Sequence, residues 1–183
     1  MLNNPVIQAI LQRRSHRAYQ PRQISDDELD VILTCARYAP SASNSQSWHF
    51  TVVQDQALLD EFAMDFFDES KRYFKGKRAF KEGYHVFFHA PTVIFISSTK
   101  ENDANCAYAA ENICIAAQSL GIGSVILGYP NMVFRTEKGP QYLYALGLPD
   151  GQYPYICVAL GYPASEPVAP PRKENNINFI RGD

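Results

Sequence analysis

The sequence predicts an α+β domain in which helices wrap a small β-sheet. Apolar residues recur at helical spacing in some segments and form short apolar or alternating runs in others. These segments follow one another in the order helix, helix, strand, helix, strand, helix, strand, helix, strand. We expect a single domain over residues 1–183, because no repeat, low-complexity tract or linker interrupts this order and 46% of the residues are hydrophobic.

The first two helices carry recognisable start signals. Pro5 opens an amphipathic stretch that ends near Arg13, and a proline in the first turn costs the helix no hydrogen bond. Ser25 and Glu28 have the spacing of a capping box, in which each side chain satisfies a backbone N–H of the other residue, so the second helix begins there. It must end near Pro40, which cannot continue it.

A polar loop at residues 41–47 separates these helices from the remaining elements. Those elements are predicted, in chain order, as a strand at 49–53, a helix at 57–67, a strand at 92–97, a helix at 103–120, a strand at 124–127, a helix at 136–145 and a strand at 155–160. Beyond residue 163 the proline-rich tail has little capacity to form a core, so it needs a partner surface to become ordered.

The helix predicted at 103–120 is rich in small residues and is closed by Gly121. The small residues are Ala107, Ala110, Ala116 and Ala117. They allow another helix to approach closely. That contact lies either between two subunits or within one chain around a central buried helix.

The charge balance favours small-molecule chemistry over binding to nucleic acid or membranes. Lys and Arg total 17 against 19 Asp and Glu, for a formal net charge of -2, so no strong basic field arises. The N-terminal stretch has too few apolar residues for a signal peptide, and no run approaches the roughly 20 apolar residues that span a bilayer. We therefore expect a cytoplasmic protein.

The sequence gives no signal for a metal site. The cysteines, which lack a C-x-x-C pair and are expected to be buried thiols, are Cys35, Cys106, Cys114 and Cys157. The histidines, which show no recognised ligand spacing, are His16, His49, His85 and His89.

A cluster of cations follows the first helix. Arg13, Arg14, Ser15 and Arg17 combine forked cationic donors with a hydroxyl group, a set of groups that suits an anion. The alternative is that the arginines merely complement the dipole at the end of the helix.

Four motifs occur in one order along nearly the whole chain. They are Arg13-Arg14-Ser15-His16-Arg17, residues 39–48 (APSASNSQSW), residues 121–128 (GIGSVILG), and Gly161-Tyr162-Pro163 followed by Arg172. Each motif is weak alone, but together they resemble the signature of the nitroreductase family at similar spacing. The resemblance implies a mostly antiparallel sheet and an intertwined homodimer, with two FMN sites built at the interface from residues of both chains.

The resemblance also implies which residues hold FMN. Arg13 and Ser15, with Arg172 and Lys173 from the tail, would bind the phosphate, and Arg14 would lie near the ribityl chain. The second subunit would supply a loop that pairs with the ribityl hydroxyls and the flavin edge through Pro40, Ser41, Ser43, Asn44 and Gln46. The alternative for this loop is an ordinary hydrated turn.

Three further positions are matched to the flavin ring. Arg17 resembles the basic residue beside flavin N1 and the C2 carbonyl, where a fixed cation stabilises the charge that reduction adds. Leu127 and Gly128 match the strand end whose backbone N–H groups face N5 and O4, which glycine permits because it lacks a Cβ. The family uses no side-chain nucleophile, so we expect no separate catalytic residue and no metal.

The activity that the resemblance implies is ping-pong hydride transfer. NADH or NADPH would reduce FMN at N5, and a nitroaromatic, quinone or similar planar acceptor would then reoxidise it. The alternatives are a reductase or dehydrogenase of an unidentified metabolite, and a flavin-binding module reduced by a protein donor such as ferredoxin.

Residues 60–90 do not match the family's remaining flavin contacts one by one. Cations that could serve there, although a basic run is usually a solvated face, are Lys71, Arg72, Lys75, Lys77 and Arg78. We expect a variable lid over the substrate pocket from this region and residues 129–140. Aromatic residues that could stack on a substrate, with core packing as the alternative, are Tyr73, Phe74 and Phe134.

Overall fold

The computed structural model describes residues 4–100 and 103–182. Its helices and strands are α1 (Pro5–Gln12), α2 (Asp26–Arg37), β1 (His49–Val53), α3 (Gln56–Tyr73), β2 (Thr92–Ser98), α4 (Ala104–Ser119), β3 (Gly123–Leu127), α5 (Gly139–Ala145) and β4 (Tyr153–Gly161). Short 3-10 helices cover Ala42–Asn44, Gly76–Arg78 and Tyr129–Arg135. The order of helices and strands is the predicted one.

The four strands form one antiparallel sheet in the order β1-β2-β4-β3. Alternate residues of the central strands face opposite sides, as the pleat of a strand requires. Along β2, Phe95 packs with the core beneath α3 and α5, whereas Ile94 and Ile96 pack with the core beneath α2 and α4. Helices therefore cover both faces of the sheet, which confirms the predicted α+β architecture.

Helix α4 is the central helix on its side of the sheet. It contacts α1, α2, β2, β3 and β4. Ala110, Ala116 and Ala117 are buried by these contacts, whereas Ala107 is exposed. The small residues of α4 thus serve mainly packing within one chain.

Two predicted boundaries are wrong for reasons of tertiary packing. Helix α3 continues six residues past the predicted end at residue 67, because Ser70 remains buried and basic residues in the last turn suit the helix dipole. Helix α5 begins at Gly139 rather than at Thr136, because the preceding residues form the 3-10 helix Tyr129–Arg135, whose Phe134 is buried in the core.

The helices of the described residues are all too short or too polar to cross a membrane.

Candidate functional site

The cations of the first motif and of the tail meet at one cavity of about 240 Å³. The residues that line this arginine cavity are Arg13, Arg14, Ser15, Arg17, Pro167, Val168, Pro170 and Arg172. No carboxylate is among these lining residues, so the cavity offers guanidinium groups and a hydroxyl to a ligand. Forked donors at this density favour a multiply charged anion.

The tail reaches the cavity because it runs back along the segment that follows α1. The Tyr162 hydroxyl donates to Glu28 Oε2 at 2.7 Å and fixes the start of the tail against α2. The backbone N–H of Ala164 then donates to the Ala18 carbonyl at 3.0 Å. These contacts direct the tail towards the first motif and place Arg172 at the cavity. Lys173 is exposed and does not line it.

Arginines of the cavity also bind groups of the protein itself. Arg14 Nη1 donates to the carbonyls of Leu11 and Arg13, both at 2.7 Å, which satisfies the end of α1 in the way that the helix-dipole alternative describes. Arg13 Nε lies 3.9 Å from Glu111 Oε1. So long an ion pair to an exposed carboxylate contributes little, so Arg13 stays available to an anion.

Arg17 lies between the arginine cavity and a group of aromatic rings. Its guanidinium carbon is 5.9 Å from the centre of the Phe88 ring. The rings that pack together beside it, called the aromatic cluster below, are Phe74, Phe80, Tyr84, Phe88 and Tyr129. Tyr129 directly follows Gly128, so the aromatic cluster also adjoins the end of β3.

The end of β3 leaves open space at Gly128. The residue has φ −98° and ψ −26°, a conformation open to any amino acid, and a Cβ built on it would meet no atom within 4 Å. Neither the backbone nor packing against the described residues therefore requires glycine here. Leu127, which is buried and pairs with Cys157 of β4, fixes the strand up to this point.

The loop at residues 41–47 has an unusual backbone. Ser43, Asn44 and Gln46 have φ values of 54°, 52° and 44°, in the left-handed region that non-glycine residues seldom adopt. The Ser41 hydroxyl accepts a hydrogen bond from the Gln46 backbone N–H at 3.1 Å, and Gln46 Nε2 donates to Asn44 Oδ1 at 3.1 Å.

The predicted contact residues of this loop are accessible to a ligand. Pro40, Ser43, Asn44 and Gln46 are exposed, and Ser41 is half-buried. None of them lines the arginine cavity. A single chain thus does not bring the predicted contacts of this loop into the arginine cavity.

The aromatic residues that could stack on a substrate differ in how exposed their side chains are. Phe134 is 5% exposed and packs against the Phe62 ring, which makes it a core residue, whereas Phe74 belongs to the aromatic cluster. Tyr73 is exposed.

The basic residues at 71–78 are exposed, as expected of a solvated face. Lys71 Nζ pairs with Asp68 at 2.8 Å.

A cavity larger than the arginine cavity contains none of the predicted site residues. This cleft, of about 500 Å³, is lined by Ser98, Thr99, Lys100, Asn131, Arg135, Tyr153, Pro154 and Tyr155. The arginine cavity, by contrast, combines concentrated charge with the sequence motifs, and we therefore take it as the candidate site.

The histidine spacing did not reveal a cluster that forms through tertiary contacts. Asp60 of α3 meets His85 and His89, with ligand atoms within 4.8 Å of one another. His85 Nδ1 accepts the backbone N–H groups of Phe87 and His89 at 3.2 and 3.3 Å, so the proton of its neutral ring lies on Nε2, 3.1 Å from Asp60 Oδ1. These hydrogen bonds account for the cluster without an ion, and the absence of a metal site stays a prediction.

His16 is a buried residue whose surroundings the sequence did not reveal. Its ring lies against Gly123, where a Cβ would come within 2.9 Å of the His16 Cγ, and its Nδ1 has no hydrogen-bond partner among the described residues. Burial lowers the pKa of His16. The imidazole therefore packs against Gly123 in surroundings that favour its neutral form.

Comparison with known proteins decides the family. The model of the nitroreductase family matches residues 10–162. The chain belongs to the nitroreductase family. It is 35% identical over 168 residues to an Archaeoglobus fulgidus protein provisionally named NADH dehydrogenase/NAD(P)H nitroreductase, an alignment covering 87% of this chain and 86% of that relative.

Solved structures of nitroreductases share the fold. A nitroreductase with bound FMN from Bacteroides fragilis superposes with a TM-score of 0.85 at 33% identity, covering 98% of this chain and 100% of that one. An FMN-bound nitroreductase from Desulfitobacterium hafniense gives a TM-score of 0.88 at 25% identity, with the same coverage. These matches confirm the predicted family, and the chain is an oxidoreductase of the nitroreductase type.

Proposed function

We propose that this nitroreductase is an FMN-dependent enzyme that uses NADH or NADPH and acts as a homodimer in the cytoplasm. The arginine cavity is the observation that carries the proposal, because it offers the donor set that a phosphate dianion needs. The FMN found in the B. fragilis and D. hafniense nitroreductases supports the same cofactor here.

The residues present fit both the phosphate end and the flavin-ring end of FMN. Arg13, Ser15 and Arg172 surround the arginine cavity without a competing carboxylate and would hold the phosphate. Towards the other end, the space above Gly128 is open and would admit a flat ring close to the backbone. Arg17 lines the arginine cavity and lies against Phe88, and it would set a fixed positive charge beside the flavin.

FMN, when bound, supplies hydride transfer between a nicotinamide and an acceptor. The protein's part is to orient the partners and to shape the pocket. Tyr84 and Phe88 of the aromatic cluster adjoin Arg17, and Tyr129 adjoins Gly128. Flat apolar walls at this place favour a planar acceptor such as a nitroaromatic or a quinone.

The exposed apolar residues support a homodimer. Every described residue from 168 to 182 is exposed, including the large apolar side chains of Val168, Ile177, Phe179 and Ile180. Val6, Ile10 and Leu11 of α1 are exposed as well. Such surfaces mark interaction sites, and a second copy would cover them while adding its own loop at 41–47 to the FMN site.

Steady-state kinetics with crossed concentrations of NADH or NADPH and p-benzoquinone test this function. Parallel double-reciprocal lines are expected, because the nicotinamide leaves before the acceptor binds. Intersecting lines would contradict the ping-pong order. Flavin that is reduced only by a protein donor, with no turnover of either nicotinamide, would instead favour the electron-accepting module.

A further inference from the structure

Two buried side chains at the start of α4 hold the loop at residues 41–47 by hydrogen bonds. Asn105 Oδ1 accepts from the Ala42 backbone N–H at 3.1 Å, and its Nδ2 donates to the hydroxyls of Ser45 and Ser47 at 3.2 and 3.0 Å. Asp103 Oδ2 accepts from the Ser47 hydroxyl at 2.5 Å. About 60 residues of sequence separate the loop from these partners.

The same side chains are fixed by α4 and β2. Asp103 Oδ1 caps α4 by accepting from the Asn105 backbone N–H at 3.1 Å, and Asp103 Oδ2 also accepts from the Ser98 hydroxyl at 2.7 Å. Burial tends to raise the pKa of Asp103, but the hydrogen bonds from Ser47, Ser98 and Asn105 hold it below its ordinary value. Asp103 is 7% exposed and Asn105 is 4% exposed. They form a rigid base for the loop.

The backbone of the loop explains why it needs this base. Left-handed φ angles at Ser43, Asn44 and Gln46 are unfavourable for residues that carry a Cβ, and such conformations persist only where surrounding contacts fix them. The contacts that tie the strained segment to the rest of the fold are made by Ala42, Ser45 and Ser47. The exposed side chains between them, at 43, 44 and 46, remain free to meet a ligand.

We propose that Asp103 and Asn105 are positioning residues that preorganise the loop at 41–47 for contact with FMN. This inference rests on the proposed function, since the loop's contact with flavin is part of it. A preorganised loop loses little conformational entropy when the ligand binds, and so it raises affinity without adding contacts.

Asn105→Leu tests the inference, because it keeps the branch at Cγ while removing all three hydrogen bonds to the loop. Asn112→Leu is the matched control, since Asn112 lies on the same helix and donates to the Cys35 carbonyl of α2 rather than to the loop. We expect FMN affinity, measured by flavin fluorescence, to fall at least about tenfold more in Asn105→Leu than in Asn112→Leu.

Hydrogen exchange of the flavin-free protein separates this inference from the proposed function. In Asn105→Leu the amides of residues 42–47 should exchange faster while those of the sheet keep their protection, and Asn112→Leu should leave the loop unchanged. Equal FMN affinity in the two variants, or unaltered loop exchange in Asn105→Leu, would overturn the positioning role. If the wild-type protein binds no FMN, the proposed function is refuted. The loop would then not be preorganised for FMN.

Discussion

Arg13 and Arg172 line the same cavity although they lie near opposite ends of the chain. Arg13 follows α1, whereas Arg172 is brought there by a tail that Tyr162 anchors to Glu28 of α2. The cavity therefore exists only in the folded chain, and each arginine can be removed without touching the core.

Arg13→Ala and Arg172→Ala should each weaken FMN binding by roughly 10- to 100-fold, the loss expected for one charge-assisted hydrogen bond to a phosphate. Arg37→Ala is a suitable control, because Arg37 is exposed on α2 and does not line the cavity. Equilibrium titration of the flavin-free proteins with FMN measures the effect. Unchanged affinity in both cavity variants would remove the phosphate assignment.

Arg17→Ala should act on the rate of flavin reduction more than on affinity. Arg17 lines the arginine cavity but also lies against Phe88 of the aromatic cluster, and its charge would favour the reduced flavin. Stopped-flow reduction by NADH should slow by at least about tenfold while most FMN is retained. A variant that loses FMN but reduces the remaining flavin at the wild-type rate would place Arg17 with the phosphate ligands instead.

Two glycines offer a contrast between binding and folding. A Cβ at Gly128 would meet nothing within 4 Å, so Gly128→Ala should leave the melting temperature nearly unchanged and weaken FMN binding. A Cβ at Gly139 would lie 2.2 Å from the Phe134 carbonyl oxygen, so Gly139→Ala should destabilise the fold. Thermal melts and FMN titrations of both variants check this. Normal flavin affinity in Gly128→Ala would show that the space is not used by the ring.

Acid should destabilise the protein through its buried histidines. Burial lowers the pKa values of His16 and His85, so the unfolded chain takes up protons at a higher pH than the folded one. Stability from these groups is therefore complete above pH 6.5 and is lost as the pH falls from 6.5 towards the folded pKa values. Each histidine contributes a slope of at most about 1.4 kcal/mol per pH unit.

His16→Leu and His85→Gln should each reduce the decline in melting temperature between neutral and mildly acidic pH. A hydrogen bond from Gln56 is the main cause that lowers the pKa of Asp60. Because this carboxylate titrates below mildly acidic pH, it should not affect the difference in melting temperature between the variants and the wild type. A pH dependence identical to that of the wild type in both variants would exclude these histidines as its source.

Local chemistry made much of the fold predictable. The capping box of Ser25 and Glu28 forms as the spacing predicts, and the strand predicted at 49–53 is β1. The extension of α3 and the 3-10 helix Tyr129–Arg135 were not predicted, because Ser70 and Phe134 are ordered by burial against distant elements. Periodicity within a short window carries no information on such contacts.

The candidate site was predictable where motifs mark it and hidden where distant residues build it. Residues of the first motif were identified by their resemblance to the family, and the structure places Arg172 beside them. The roles of Asp103 and Asn105 had no sequence signal, because their partners in the loop lie about 60 residues away. The cluster of His85 with Asp60 was missed for the same reason.

Anaerobic addition of NADH and NADPH, in separate samples, to the FMN-loaded protein tests the central claim most directly. The account predicts a yellow protein whose visible flavin absorbance bleaches with at least one nicotinamide and returns when a nitroaromatic or a quinone is added. Flavin absorbance that bleaches with neither nicotinamide, or a protein that takes up no FMN when FMN is supplied, would contradict the account.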